Sequence, residues 1–462
     1  MTQTPLEKVL AARESIHAIK HALIQQYKLP VVSMALNIAG WPKTDRQKRK
    51  FFFHMLNKLH EHLYANRLPV SPQTARIIDN DNGLTFIACI NAPEDSAQIK
   101  IISERFEANQ VLGRFIDVDV IDESGEIVSS EKQKVCFFCG QYPAIDCMRN
   151  QRHTTEELRK FQQNKIQDFL IGNHRKNQSH KLTELTIYAL FTEASLHPKP
   201  GLVSPFDNGA HNDMDFNTFS RSISALSPIF NQFYLKCLDP NQNLTIEDMR
   251  IWGIQAEKKM NAATEGINTH KGAIFLMLLV GKIITDIIKT NESISIQTIK
   301  NGLKNYNKHI ENDKAQVYEQ THGNIVQKAF PQLKAGIRQQ VMDGLPAVFQ
   351  GGIIPMYTRH FSPQQKIEEL SATLKISLLS IMEENIDSNI IHRGGPELLK
   401  ILQQKAKESK VALLENQNHT YNEFCKWTKN KNLSPGGSAD LLALTIFIYL
   451  CTINPLLKPY EF

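Results

Sequence analysis

Short alternating or β-branched apolar runs are confined to the first third of this 462-residue chain, and from about Glu156 onward the apolar stretches repeat with helical spacing. One architecture cannot accommodate both patterns. A chain this long also exceeds what a single hydrophobic core organises, since such cores stop growing near about 250–300 residues. The expectation is an α+β N-terminal domain over residues 1–172 and an all-α C-terminal domain over residues 180–462.

Within the first part, Leu6–Tyr27 reads as a helix and Val31–Ile38 as a strand that ends before Gly40 and Pro42. Phe51–Leu63 is helical, and Leu84–Ile90 and Phe115–Ile121 are further strands, the last bounded by Gly113 and Gly125. The run Gly172–His180 (GNHRKNQSH) holds almost no apolar side chain and marks the domain boundary. Beyond it, Leu182–Leu196, Met249–Met260, Ala273–Lys289, Lys366–Glu384 and Leu441–Ile453 read as helices, with no internal repeat and no low-complexity tract.

A composition of 42% hydrophobic and 22% charged residues supports folded domains. The net charge of +6, without a block of consecutive basic residues, speaks against nucleic acid and for an anionic small molecule. The basic stretch Lys43–Lys50 is either a solvated helix face or a phosphate contact. Met1–Leu10 lacks the apolar core of a secretory signal, and Leu441–Ile453 falls short of the about 18 residues that span a bilayer, so no membrane association is expected. Seven cysteines, three of them clustered, fit a reducing cytoplasm better than a disulfide framework.

Chemistry concentrates in a few segments. In Gly113-Arg114-Phe115-Ile116-Asp117-Val118-Asp119-Val120 the period of two puts Asp117 and Asp119 on one strand face. Such a pair can hold Mg²⁺ against a phosphate, with Gly113 admitting the phosphate and Arg114 clamping it, although a solvated strand face has the same pattern. Cys136, Cys139, Cys147 and His153 have the ligand types of a structural Cys₃His zinc site, the alternative being buried small thiols.

In the second part, Asp207-Asn208-Gly209-Ala210-His211-Asn212-Asp213-Met214-Asp215 carries more carboxylates than a turn needs, so Asp213 and Asp215 beside His211 are candidates for Mg-nucleotide binding or proton transfer. Asn268, Thr269, His270 and Lys271 precede an apolar helix whose positively polarised start suits a phosphate, or simply needs a cap. Gly436 and Gly437 open another apolar helix and offer backbone amides to phosphate. Asp387-Ser388-Asn389-Ile390-Ile391-His392-Arg393 adds a carboxylate, an imidazole and a guanidinium.

Two resemblances follow. Leu36-Asn37-Ile38-Ala39-Gly40, Pro42-Lys43, the GRFIDVDV segment and the Cys/His cluster ending at His153 resemble the apo-citrate lyase phosphoribosyl-dephospho-CoA transferase family. That likeness implies transfer of the phosphoribosyl-dephospho-CoA unit to a serine of the citrate lyase acyl carrier subunit with loss of pyrophosphate. It places a metal on Asp117 and Asp119 and the triphosphate on Lys43 and Arg114. The family pattern Asn-Ile-Pro-Gly is Asn37-Ile38-Ala39-Gly40 here.

The motifs KPGLV, DNGAHNDMD, GINTHKGAIF, DSNIIHRGG and SPGGSADLLA resemble the triphosphoribosyl-dephospho-CoA synthase family, which joins ATP to dephospho-CoA and releases adenine. By that likeness Asp213, Asp215 and Asp387 serve as base or metal ligands, His211 and His270 supply a proton or bind phosphate, and Lys271 and Arg393 hold the triphosphate. A glycine and a glutamate of the family pattern are replaced by Gln339 and Gln340, which bears on synthase activity. The combined expectation is a bifunctional transferase. A malonate decarboxylase carrier as acceptor, or a module that only binds carrier or nucleotide, are the competing readings.

Overall fold

The computed structural model describes residues 4–91, 95–129, 134–313 and 322–457. It forms two compact units, which divide between His174 and Arg175.

Unit 1 comprises α1 (Pro5–Tyr27), β1 (Val31–Leu36), α2 (Arg46–Ala65), β2 (Arg76–Asn80), β3 (Gly83–Cys89), α3 (Ser96–Asn109), β4 (Ile116–Ile121), the short α4 (Ala144–Arg149) and the first half of α5 (Thr155–Ser195). The sheet is antiparallel in the order β2-β3-β1-β4. Register sets the chemistry of its faces: Ala35 pairs with Asp117 and Thr85, and Ser33 with Asp119 and Ile87, so all six share one face. Helix α1 covers part of it, burying Ile16, Leu23 and Ile24 against Val31, Ile87, Cys89 and Ile121. On the opposite face Met34, Phe86 and Val118 are buried, with α2 reaching Phe86 through His60. The outer edge of β4 is closed by side chains of α3: Val118 N donates to Glu107 Oε1 at 2.7 Å, and Lys100 Nζ donates to Val118 O at 3.0 Å.

Strand β2 and helix α3 are absent from the sequence reading. The residues of β2 are mostly exposed, as befits an edge strand, so no apolar alternation announces it. Gly172–His180, read above as an irregular boundary, lies inside the single helix α5. Polar residues do not break a helix, and one glycine costs only about 1 kcal/mol.

Unit 2 is helical: the rest of α5, then α6 (Phe216–Cys237), α7 (Ile246–Ala263), α8 (Lys271–Lys289), α9 (Ile296–Asp313), α10 (His322–Ala329), α11 (Ile337–Met342), a π-helical turn (Ala347–Gly352) running into α12 (Ile353–Thr358), α13 (Ile367–Glu384), α14 (Ser388–Leu414), α15 (Asn418–Asn430) and α16 (Gly436–Ile453). Helices α8 and α16 pack against each other and are apolar nearly all round, as central helices must be. The 18 residues of α16, with mean hydropathy 1.7, match a membrane span in length and composition, but two-thirds of the helix is buried among its neighbours. The starts of α8, α14 and α16 lie together, and there the polar chemistry of the unit collects.

Candidate active sites

In unit 1 the candidate residues lie on the β1–β4 side of the sheet and in the turn after β1. Asp117 is exposed and Asp119 half-buried, above a floor of small Ser33 and Ala35. Lys134 Nζ bridges Asp117 Oδ1 and Glu107 Oε2, at 3.0 Å each. Burial, and then the charge of Asp117, push the Asp119 carboxyl above the usual range, against the pull of Lys20, Lys100 and Lys134. Lys20 is itself lowered by desolvation, with both carboxylates opposing the shift. Thr85 Oγ1, on the same face, is buried without a partner.

The turn after β1 is clamped by Gln162 of α5, whose Nε2 donates to Asn37 O at 2.6 Å while its Oε1 accepts from Ala39 N at 2.8 Å. A proline at position 39 would have no N–H to give, so Ala39 is matched to Gln162. Lys43 follows, packed on Gly83, with Nζ donating to Ile38 O at 2.5 Å. Desolvation, then Arg13 and Lys48, lower its pKa: it is a partly buried cation among cations, a setting that favours an anionic ligand.

Gly113 and Arg114 differ from expectation. A Cβ at Gly113 would lie 1.7 Å from Glu107 O, so the glycine serves the approach of its own α3 backbone rather than of a phosphate. Arg114 Nη2 donates to Val135 O at 3.0 Å and its Nε is buried without a partner. The guanidinium is thus tied to the loop that carries Cys136, Cys139, Cys147 and His153, whose ligand atoms all lie within 4.8 Å of one another.

In unit 2, Asp387 caps α14 through Asn389 N at 3.0 Å, and its Oδ2 accepts from Ser438 N at 2.9 Å and Ser438 Oγ at 3.1 Å. Burial raises its carboxyl in spite of these bonds. A Cβ at Gly437 would meet Asp387 at 3.2 Å, and one at Gly436 would meet Asn389 at 2.9 Å. The amide cradle expected to take phosphate at Gly436 and Gly437 therefore already holds an internal carboxylate.

Asp440, one turn further along α16, sits against Gly272, where an added Cβ would come within 2.1 Å of its Oδ2. The Ala273 amide at the start of α8 hydrogen-bonds this carboxyl, yet desolvation, then Glu193 and Asp387, push it well above the ordinary carboxylate range. Glu193 is buried and paired with the buried Lys199 at 2.7 Å. Lys199 also adds to the main effect of burial in holding His270 down, to about 3. His270 Nδ1 lies 2.7 Å from Ser222 Oγ, and its lowered pKa favours the neutral ring, a poorer proton source than an imidazolium.

His211 Nε2 lies 2.7 Å from Ser434 Oγ and its Nδ1 3.5 Å from Asp213, whose side chain is 63% exposed. Burial first, then Arg393, lower the His211 pKa. Arg393 Nη1 donates to Ala210 O and Asn432 O, both at 3.1 Å, and so joins the His211 loop to the lead-in of α16. Asp215 stands apart: it is the N-cap of α6 in a reciprocal capping box with Thr218, which holds it below the usual range. Asn268 Oδ1 accepts from Lys271 N at 3.2 Å as a local cap, and Lys271 Nζ pairs with Glu257 at 2.9 Å. Gln339 and Gln340 bond locally within and just beyond α11, to Asp343 and Ala347 N.

Lys20, Glu107, Lys134 and Gln162 in unit 1, and Glu193 and Asp440 in unit 2, join these sites without having been singled out as functional in the sequence. Asp440 alone carried a usable signal, an acidic residue just past the opening turn of a strongly apolar helix.

One unit thus presents an acidic pair ringed by lysines, and the other a buried carboxylate layer at three helix starts; with the family matches that follow, the protein is a transferase. Residues 179–455 match the ATP:dephospho-CoA triphosphoribosyl transferase family and residues 4–169 the apo-citrate lyase phosphoribosyl-dephospho-CoA transferase family, and the chain belongs to the fusion of the two. It is 29% identical to Protein CitXG of Haemophilus influenzae, over 96% of this chain and 95% of that protein. Identity to Protein CitXG of Leuconostoc mesenteroides subsp. cremoris is 28%, over 96% of each. The 2-(5''-triphosphoribosyl)-3'-dephosphocoenzyme-A synthase of Haemophilus ducreyi is 33% identical over 65% of this chain and 95% of its own length.

Proposed function

We propose that unit 2 makes triphosphoribosyl-dephospho-CoA from ATP and dephospho-CoA, and that unit 1 transfers its phosphoribosyl-dephospho-CoA part to a serine of the citrate lyase acyl carrier subunit. In the first reaction the bond from the ATP ribose C1′ to adenine breaks and the 2′-hydroxyl oxygen of dephospho-CoA takes its place. The hydroxyl loses a proton and adenine gains one. In the second, the serine hydroxyl gives up its proton, its oxygen bonds the phosphorus next to the ribose, and the bond from that phosphorus to the departing pyrophosphate breaks, the proton passing to solvent or to pyrophosphate.

The observation that supports this reading is Asp440 of α16, a buried carboxyl set against Gly272 at the start of α8 and pushed well above its usual range by burial, then by Glu193 and Asp387. Leaving adenine needs a proton, and a carboxyl whose pKa is raised by burial is the kind of group that can give one. His211 is the complementary group: kept neutral by burial and Arg393, it can accept the 2′-hydroxyl proton, with Asp213 supporting the imidazolium that forms. Arg393 and Lys271 flank the triphosphate, Lys271 by exchanging Glu257 for it. Asp387 builds the site by joining α14 to α16, and Asp215 by starting α6.

For attachment, Asp117 and Asp119 would hold Mg²⁺. They are hard oxygen donors on one strand face above small residues, and Asp119 is raised by burial first and then by the charge of Asp117, a cost that a bound cation would relieve. When bound, the ion would neutralise triphosphate oxygens. Lys43, with Arg13 beside it, binds the departing pyrophosphate, and Lys20 and Lys134 keep the two carboxylates in place. The test is the intact mass of the citrate lyase carrier after incubation with this chain, ATP, dephospho-CoA and Mg²⁺, with adenine followed in parallel. A carrier left unmodified with no adenine released overturns the reading.

A further inference from the structure

Residues 134–153 are a segment with hardly any core of their own. Their one helix, α4, spans six residues, and Val135, Tyr142, Ile145 and Met148 are all exposed, the last by 71%. A segment this short and this poor in buried apolar surface needs a staple. At its centre the four ligand atoms of Cys136, Cys139, Cys147 and His153 lie within 4.8 Å of one another. Cys139 Sγ and Cys147 Sγ are 3.7 Å apart, which is about the edge of a tetrahedron built on Zn–S bonds of about 2.3 Å and well beyond a disulfide bond.

The surroundings fit a closed structural ion site. Cys136 and Cys147 are buried, and the Phe138 ring lies 4.8 Å from that of His153, whose Nε2 is buried without a hydrogen-bond partner. The loop is folded back on itself: Gly140 N donates to Cys136 O at 3.0 Å, Cys136 N to Tyr142 O at 2.8 Å, and Arg152 N to Cys147 O at 3.0 Å. With four protein ligands such a site has no open position, which separates a structural zinc from a catalytic one.

Its neighbours give the site a purpose. Two residues before Cys136, Lys134 bridges Asp117 and Glu107; one residue before it, the Val135 carbonyl accepts from Arg114. We infer that Cys136, Cys139, Cys147 and His153 bind one Zn²⁺, and that this ion folds the 134–153 loop so that Lys134 is presented to the Asp117–Asp119 site while Arg114 ties the loop to the start of β4. Lys134 and Arg114 are positioning residues in this scheme. The activity half of the inference rests on the attachment reading of unit 1; the metal half does not.

The experiment uses the full chain purified without added metal. One equivalent of zinc per chain is expected by elemental analysis, falling below a tenth in Cys139→Ser and Cys147→Ser. Zinc removal by a chelator should slow carrier modification at least tenfold and leave adenine release within twofold, with recovery on adding Zn²⁺ back. Should the cysteine variants not fold, Co²⁺ exchanged into the wild-type chain must give the intense visible bands of a tetrahedral thiolate site. A metal-free chain that modifies carrier at the full rate, zinc retained by both variants, or a weak octahedral Co²⁺ spectrum each overturns the proposal. A zinc-loaded chain that releases adenine but never modifies carrier would instead sink the attachment reading.

Discussion

Asp387 Oδ2 accepts the Ser438 backbone amide at 2.9 Å, so a carboxylate from the start of α14 occupies the amide-rich start of α16. Substituting Asp387→Asn keeps the shape but puts an NH₂ where an acceptor is needed, opposite either the Ser438 or the Asn389 amide. The expected cost is about 1–3 kcal/mol of stability, with adenine release falling because Asp440 shifts with α16. Chemical denaturation and the adenine assay check it together; an unchanged midpoint would mean that the two helix starts are not coupled through this group.

Asp440→Asn should leave unit 2 folded and lower adenine release by about 10²-fold or more, the usual scale for a general acid. The sign of its pH effect is fixed by its raised pKa: the folded protein binds the Asp440 proton more tightly than the unfolded chain does. Asp440 therefore weighs against stability increasingly as pH rises from about 4, its unfolded value, toward its folded value, and costs nothing below both. The stability of Asp440→Asn relative to wild type should accordingly improve between pH 4 and pH 7. Melting temperatures of both proteins at those two pH values read it out.

Asp213 and Asp215 are close in sequence but differ in setting, the first beside His211 and the second capping α6. Asp215→Ala should cost about 1 kcal/mol as a lost N-cap and change adenine release less than threefold. His211→Ala should cut adenine release about 10²-fold, and Asp213→Ala less, because that carboxylate is exposed and 3.5 Å from the ring. Steady-state kinetics of the three variants would rank them; a dead Asp215→Ala of normal stability would move the site into the start of α6.

Ala39→Pro restores the proline of the family pattern but removes the N–H held by Gln162 Oε1 at 2.8 Å, leaving a partly buried acceptor unpaired. Carrier modification should fall several-fold while adenine release stays at the wild-type rate. Pairing it with Gln162→Ala should recover little, since Gln162 also holds Asn37 O.

Much of this was legible in the sequence, and the misses have a common cause. The division into a sheet-containing and a helical part follows from where apolar alternation stops, and the Asp117–Asp119 face follows from a strand period of two. What escaped was tertiary. Lys20, Glu107 and Lys134 come from three separate segments and gather around Asp117 and Asp119 only once the sheet and helices pack, as Gln162 reaches the turn after β1. The glycines are ambiguous in sequence, because a close backbone approach looks the same whether its partner is a phosphate, a side chain or another stretch of backbone. Gly437 admits Asp387, Gly272 admits Asp440 and Gly113 admits the Glu107 carbonyl. Asp215 shows the converse, a carboxylate in a dense acidic loop whose spacing to Thr218 is that of a capping box.

The most direct test of two separate sites on one chain is carrier mass and adenine release measured side by side for wild type, Asp119→Ala and Asp440→Asn. Wild type should give both adenine and a carrier heavier by one phosphoribosyl-dephospho-CoA group. Asp119→Ala should give adenine alone, and Asp440→Asn neither, until purified triphosphoribosyl-dephospho-CoA is supplied and modification returns. Loss of both activities in Asp119→Ala with its fold intact, or failure of the supplied intermediate to rescue Asp440→Asn, would contradict the division of labour.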